Sequence, residues 1–292
     1  MQSSTNVAGS ALLIMATATL WGTVAVIVKV MIRAIDPALI AFVRMLLGGA
    51  ALTVALALTR ARIAPRESWS LVGIGAVGIA FNYLFFTLGL RYTSASAGAM
   101  VVQTEVVFLA ILSVILLKEP FGPRKIAGMT IALVGVAIIS WNGKDLSTLL
   151  GSEYLLGNVI IVLAGLFWAF YAYSQKRLTQ NREVLSSLSP IFLLSAVMLA
   201  PFSLGSIGDL ARLSGAEVLG LLYLGLVCTG LAYLLLARGM KAVAASTAGV
   251  LTTLMPVSSV ILAHIFLGES LSLYMGLGAA LDLGGIFLVL RG

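Results

Sequence analysis

The stretch from Asn82 to Ile139 occurs twice in this chain, and that duplication limits its possible folds more than any other feature. Displaced by 150 positions, Tyr83-Leu84 falls on Tyr233-Leu234, Gly89 on Gly239 and Arg91 on Lys241. In the same register Ala95-Ser96 falls on Ala245-Ser246, Glu119 on Glu269, Gly128 on Gly278 and Gly135 on Gly285. Chance alignment of an apolar chain would match Leu and Val, not the Gly, Tyr and Glu landmarks as well. Upstream the step is slightly shorter: Trp21 falls on Trp168 and Lys29 on Lys176. The chain is a duplicated unit, divided here into residues 1–145 and 146–292. Internal repeats in apolar chains are a mark of transporters.

The solvent for this fold is lipid. Hydrophobic residues make up 60% of the chain and charged ones 10%, whereas a soluble domain carries roughly 25% charged residues. A spanning helix needs about 20 predominantly apolar residues. Breaks at charges, Pro and Gly clusters leave ten such runs, near 9–30, 37–59, 69–90, 94–117, 123–141, 153–175, 186–205, 214–237, 242–267 and 271–290. They are too long, and too uniform along their length, for the alternating strands of an outer-membrane barrel. The connections are short. The polar Asn142-Gly143-Lys144-Asp145 separates the two copies.

Charge bias orients the chain. With the N-terminus in the cytoplasm, twelve Lys and Arg, among them Arg60, Arg62, Arg124, Lys125 and Lys241, fall on the inner side. Only Lys29, Arg33, Arg91, Lys144 and Arg212 fall outside. Cytoplasmic loops carry the excess of cations, so both termini are expected inside. Five helices per copy is an odd number, so the second copy enters the membrane from the opposite face. The expected fold is all-α: ten transmembrane helices in two inverted five-helix repeats, in a bacterial inner membrane. Such repeats permit alternating access around a site near the midplane.

Several readings are excluded or disfavoured. The net charge of +7 sits in clusters between apolar runs, with no basic stripe interleaved with aromatics, so nucleic acid is not an expected partner. Cys228 has no second cysteine to pair with and reads as a small buried hydrophobe. His264 stands alone, so neither a metal nor any other cofactor is expected. One His, one Cys and no G-x-S-x-G or H-E-x-x-H argue against an intramembrane enzyme. Gly73-Ile74-Gly75-Ala76-Val77-Gly78 matches G-x-G-x-x-G but follows no strand, and reads as close helix packing. The residues before Ala11 include no Lys or Arg, so the first run is expected to be retained and not cleaved as a signal.

Leu117-Lys118-Glu119-Pro120 and Leu267-Gly268-Glu269-Ser270 each precede a glycine-punctuated helix, and Trp21-Gly22 and Trp168-Ala169 lie upstream. Together these resemble the drug/metabolite transporter superfamily, in its ten-helix EamA branch, over nearly the whole chain. Within it the resemblance is greatest to amino-acid exporters of the YddG type. It implies a central cavity walled by the first, third, fourth, sixth, eighth and ninth helices, with the fifth and tenth as a supporting layer. The family often places Glu-Pro in the middle of the fourth or ninth helix. Here Glu105 keeps the acid without the proline, and Pro256 keeps the proline without the acid.

An intramembrane acid is a functional hypothesis by default, and Glu105 lies midway along the fourth run. It either couples protons or meets a substrate ammonium, or else ties its helix to a neighbour. Gln103 is about 200° away around the helix, so one of the two, not both, faces the cavity. Trp168, Tyr171 and Gln175 share one face of the sixth run; Trp21, Asn82, Tyr83 and Tyr233 complete the expected wall. Trp21 and Trp168 are too deep for an interfacial belt. Asp282, in the tenth run, is a second candidate for coupling, alone or paired with His264. Gly98 and Pro256 are candidate hinges. Gly276, Ala280 and Gly284, with Gly128 and Ala132, give small-xxx-small spacing for helix packing or a dimer face, leaving monomer and homodimer both open. Arg44 and Lys29 are expected off the cavity, which disfavours phosphorylated substrates. An aromatic wall with a few amides and hydroxyls suits an amino acid; efflux of lipophilic cations by proton antiport is the alternative.

Overall fold

A computed structural model of the chain describes residues 4–59, 68–93, 98, 101–141, 152–180, 183–267 and 272–291. Among these residues the regular elements are all helical. Among the described residues seven segments are long and apolar enough to cross a membrane: Val7–Met31, Pro37–Thr59, Trp69–Tyr92, Leu155–Thr179, Val184–Arg212, Gly215–Gly239 and Leu273–Leu290. Their outward faces carry large apolar side chains such as Leu58, Val197, Leu219 and Leu273, as a lipid solvent requires. The chain is a multi-pass membrane protein.

The first run is two helices, α1 (Ser4–Trp21) and α2 (Val24–Met31), separated at Gly22-Thr23. Then come α3 (Pro37–Thr59), α4 (Trp69–Tyr92), α5 (Thr104–Leu116) and α6 (Pro123–Trp141). The second half contains α7 (Ser152–Thr179) and α8 (Val184–Ser203), followed by a 3₁₀ turn. Next, α9 (Gly215–Leu222) passes through a π-helical section (Tyr223–Leu231) into α10 (Ala232–Gly239). The start of α9 is fixed by a capping box: the Ser214 amide donates to the Glu217 carboxylate, and the Glu217 amide to the Ser214 hydroxyl. The chain ends in α11 (Ala245–Thr252), α12 (Leu254–Leu267) and α13 (Leu273–Leu290).

The fourth and ninth runs are therefore not single rods. Both break at equivalent places, Val102-Gln103 and Thr253. Pro256 accounts for the second break, because its ring displaces the carbonyl four residues earlier, at Thr252. Proline is not needed for the first break, since Val106 occupies the matching position. Pro256 itself lies in the first turn of α12, not in mid-helix as its place in the run suggested.

Lipid offers no hydrophobic force between helices, so they associate by close packing. Gly128 and Gly135 of α6 back onto Gly285 and Gly278 of α13. A Cβ on Gly135 would lie 2.5 Å from the Gly278 carbonyl oxygen and 2.6 Å from the Asp282 amide. A Cβ on Gly285 would lie 2.5 Å from the Gly128 oxygen. Residue numbers rise on one helix as they fall on the other, so the pair is antiparallel, and the repeat step maps the Gly128–Gly285 contact onto the Gly278–Gly135 contact. The same exchange recurs elsewhere. Gly89 packs on Gly157 and Ile161, while its counterpart Gly239 packs on Ser10 and Ile14.

One packing expectation needs correction. Gly276 and Gly284 face open space, and the contact stripe on α13 runs through Gly278 and Gly285. Spacing of four identified a face of α13 that does not meet α6. The glycines of the G-x-G-x-x-G stretch do serve packing: a Cβ on Gly78 would lie 2.6 Å from the Tyr171 amide, and one on Gly75 2.8 Å from Ser174 Oγ. Gly73 faces open space.

Gly135→Leu should force α6 and α13 apart, at a cost of about 1–3 kcal/mol or more. Gly276→Leu should cost almost nothing. Thermal unfolding of the detergent-solubilised protein, followed by tryptophan fluorescence, will compare the two.

A candidate substrate cavity

A pocket lies where the two halves of the chain meet, with about 530 Å³ of empty space counting its open mouth. Its wall includes Trp21, Val24, Ala25, Arg44, Asn82 and Tyr83 from the first half. Glu105 comes from the first turn of α5, just past the break in the fourth run, and Val102 from the break itself. Trp168, Tyr233 and Met255 face them from the second half. Met255 is the repeat counterpart of Glu105, and it too follows a break. Interrupted helices at membrane depth are tolerated where they line a cavity, and both breaks do so here.

The aromatic wall is held in place by specific contacts. The Trp21 indole N–H donates to the Cys228 carbonyl at 2.9 Å, inside the π-helical section. Such sections recur at functional sites. Tyr233 sits at the hub, with ring centroids 4.9 Å from Trp21, 5.3 Å from Tyr171, 5.1 Å from Phe192 and 6.2 Å from Tyr83. Trp168 meets Trp21 edge to face at 6.3 Å. The Tyr83 hydroxyl lies 3.1 Å from the Thr229 hydroxyl, and the Asn82 amide donates to the Ala164 carbonyl. Gly165 lets α7 approach Glu105: a Cβ there would lie 3.0 Å from the Glu105 amide.

The sequence expectations divide at this point. Trp21, Asn82, Tyr83, Glu105, Trp168 and Tyr233 line the pocket. Gln103 does not: it is buried, and neither of its amide atoms has a partner. Of the pair Gln103 and Glu105, the acid faces the space. Tyr171 and Gln175 share the face of Trp168 but lie beyond the pocket, where Tyr171 packs on Phe192 and Tyr233 and Gln175 donates to Ser187. A helical face is longer than a cavity, and only its near end reaches this one.

Arg44 was expected off the cavity and lines it instead. Its guanidinium stacks on the Tyr83 ring at 4.3 Å from the centroid, a cation–π contact. Sequence position alone gave its depth in the membrane but not its face. Asp282 is fully buried and lies outside the pocket, with Oδ1 accepting from the Thr253 hydroxyl at 2.6 Å and Oδ2 unpartnered. Thr253 is the break residue two positions before Met255, so Asp282 touches the site only through the helix discontinuity. The His264 side chain falls outside what the structure describes. Gly98 is packed against Leu90, which a Cβ would approach to 2.6 Å.

Two lysines related by the repeat bind the turns at the two ends of the site. Lys29 donates to the Leu90 and Thr93 carbonyls at 2.5 and 2.7 Å. Lys176 donates to the Met240 and Val243 carbonyls at 2.6 and 2.5 Å. Each caps the carboxyl end of a helix, where a cation is favoured. The turn held by Lys176 is also held from its far side. The Glu119 carboxylate accepts from the Ala245 and Ser246 amides at 2.8 and 3.2 Å and from the Ser246 hydroxyl. That is an acid at a helix amino end, the favourable polarity.

Comparison with known proteins supplies the family. The chain matches the EamA-like transporter family twice, over residues 9–141 and 155–291. It belongs to that family. Relatives of similar length include an uncharacterized transporter of Archaeoglobus fulgidus, 27% identical over 95% of this chain and 96% of its own. The uncharacterized inner membrane transporter YhbE of Escherichia coli K12 is 29% identical over 90% of this chain and 81% of its own. A solved crystal structure superposes with a TM-score of 0.80 at 21% identity, covering 96% of this chain and 97% of that one, which establishes the fold. The protein is an EamA-family membrane transporter of the drug/metabolite superfamily, not an enzyme.

Lys176→Met should destabilise this EamA protein by roughly 1.5–3 kcal/mol, since it leaves two carbonyls without their charged donor. Lys29→Met should cost less, because Lys29 is only partly buried. Paired melting curves will test the order.

Proposed function

We propose that the protein exports small metabolites, amino acids foremost, by alternating access around this pocket. The observation that carries the reading is an aromatic-walled cavity between the two halves with a buried carboxylate, Glu105, facing into it. In that reading the ten runs form two inverted five-helix repeats in a bacterial inner membrane, with both termini cytoplasmic. The antiparallel, mutually exchanged glycine contacts of α6 and α13 support the inversion. The cytoplasmic placement of both termini fits the charge bias, and export of amino acids fits the resemblance to YddG-type exporters. Glu105 and Asp282 are the candidate proton carriers, and the breaks near Gly98 and Pro256 are where the bundle would flex. Assembly as monomer or homodimer suits either end of this scheme.

Efflux of a lipophilic cation is the second reading, favoured by Glu105 among tryptophans. Proteoliposomes of the purified chain, loaded in turn with each proteinogenic amino acid and with tetraphenylphosphonium, will separate the two. Flux above protein-free vesicles is expected for amino acids. Flux of the phosphonium alone would transfer the assignment to the second reading, and no flux of either would end both. Under an imposed pH gradient, Glu105→Gln should make transport indifferent to the gradient. A parent protein already indifferent to it is a facilitator.

A further inference from the structure

We propose that Arg44 and Glu105 are the two poles of a zwitterion site: the guanidinium takes the carboxylate of a free α-amino acid, and Glu105 takes its ammonium. This rests on the amino-acid reading above and assigns its recognition chemistry.

Two buried ionisable groups that face the pocket lack hydrogen-bond partners among the described residues. Arg44 is 3% exposed and Glu105 6%. A carboxylate or guanidinium taken out of water without a counter-charge costs several kcal/mol. Lys29, Lys176 and Glu119 meet that cost with two or more hydrogen-bond partners each, and buried Asp282 meets part of it with one, the Thr253 hydroxyl. Arg44 and Glu105 have none among the described residues, neither with each other nor with a third group. Arg44 Nε is buried without an acceptor, and its only recorded contact of this kind is the face of Tyr83. Both residues line one pocket. A guanidinium and a carboxyl facing the same space, unpaired, are complementary to a ligand that brings both the carboxylate and the ammonium.

The rest of the wall is consistent with this. The step that carries Trp21 onto Trp168 carries Arg44 onto Ile191, and the step that carries Tyr83 onto Tyr233 carries Glu105 onto Met255. Both poles therefore belong to the first copy, and the second copy offers Trp168, Tyr233 and Met255. A zwitterion bound by its head to the first copy lays its side chain on an aromatic and thioether surface. Apolar side chains suit that surface, and a bare cation would face Arg44.

The test compares ligands on the unmodified full chain in proteoliposomes. The amino acid with the highest flux in the panel is set against its own carboxamide and its own deaminated acid. A site with two poles should transport each analogue roughly tenfold or more less well, the loss expected for one charge-assisted bond. Arg44→Gln should then abolish the preference over the carboxamide alone, and Glu105→Gln the preference over the deaminated acid alone. Melting curves of both variants report whether each is folded. If the unmodified protein moves either analogue as well as the amino acid, or either folded variant retains both preferences, the two-pole site is wrong while amino-acid export stands. If only the phosphonium moves, the amino-acid reading has failed, and this site with it.

Discussion

Every polar group of this chain that faces away from water has to find its partner within the protein, because lipid supplies none. The helical backbone meets that demand along its rods, and the difficulty moves to the ends and breaks. There the chain uses charged side chains as caps. Lys29 and Lys176 meet the carbonyls that end α4 and α10, and Glu119 meets the amides that begin α11. These are charges spent on architecture. Against that background Arg44 and Glu105 stand out as ionisable groups that are unpaired and face the pocket, whereas the unpartnered atoms of Gln103 and Asp282 lie outside it.

The second constraint is the absence of a hydrophobic drive between helices. Contact has to come from backbone approach, and so the interfaces are set by glycine. Gly135 on Gly278, Gly78 on Tyr171 and Gly89 on Gly157 are all positions where a methyl group would collide with main-chain atoms. Such contacts hold helices in register. The helical ladder is interrupted elsewhere, at Gly22-Thr23, Val102-Gln103 and Thr253. All three interruptions flank residues of the pocket wall, so the places where backbone geometry can change coincide with the place where solute would bind.

How far the sequence foretold this differs between skeleton and site. The duplication was legible because Gly, Tyr and Glu recur in register, and a lysine that pairs with a lysine at the same step announces equivalent work. Tryptophans too deep for an interface, Trp21 and Trp168, were legible as interior residues. What could not be read was direction around the helix in a chain apolar on every side. Gly276 and Gly284 had the right spacing on the wrong face. Arg44 had the right depth and an unknown heading, and Tyr171 the right face but a position one turn beyond the pocket. In soluble proteins the polar face orients a helix; here lipid-facing and core-facing residues are equally apolar, and only contacts distinguish them.

The two copies agree on scaffold and disagree on chemistry, and that division says what the duplication leaves free. Residues that hold helices together, Gly89 and Gly239, Gly128 and Gly278, Lys29 and Lys176, are kept in both halves and make matching contacts. Among residues that face the pocket the aromatics are kept, Trp21 with Trp168 and Tyr83 with Tyr233, but the polar groups are not: Glu105 answers to Met255, and Asn82 to Ala232. In the proposed alternating access, rocking between two bundles would ask for like interfaces on either side of the pivot, and the matched scaffold contacts of the two copies suit that demand. A solute has no such symmetry. A pocket lined identically by both halves would offer two equal poles, whereas one acid and one base in the same half give the cavity a head and a tail.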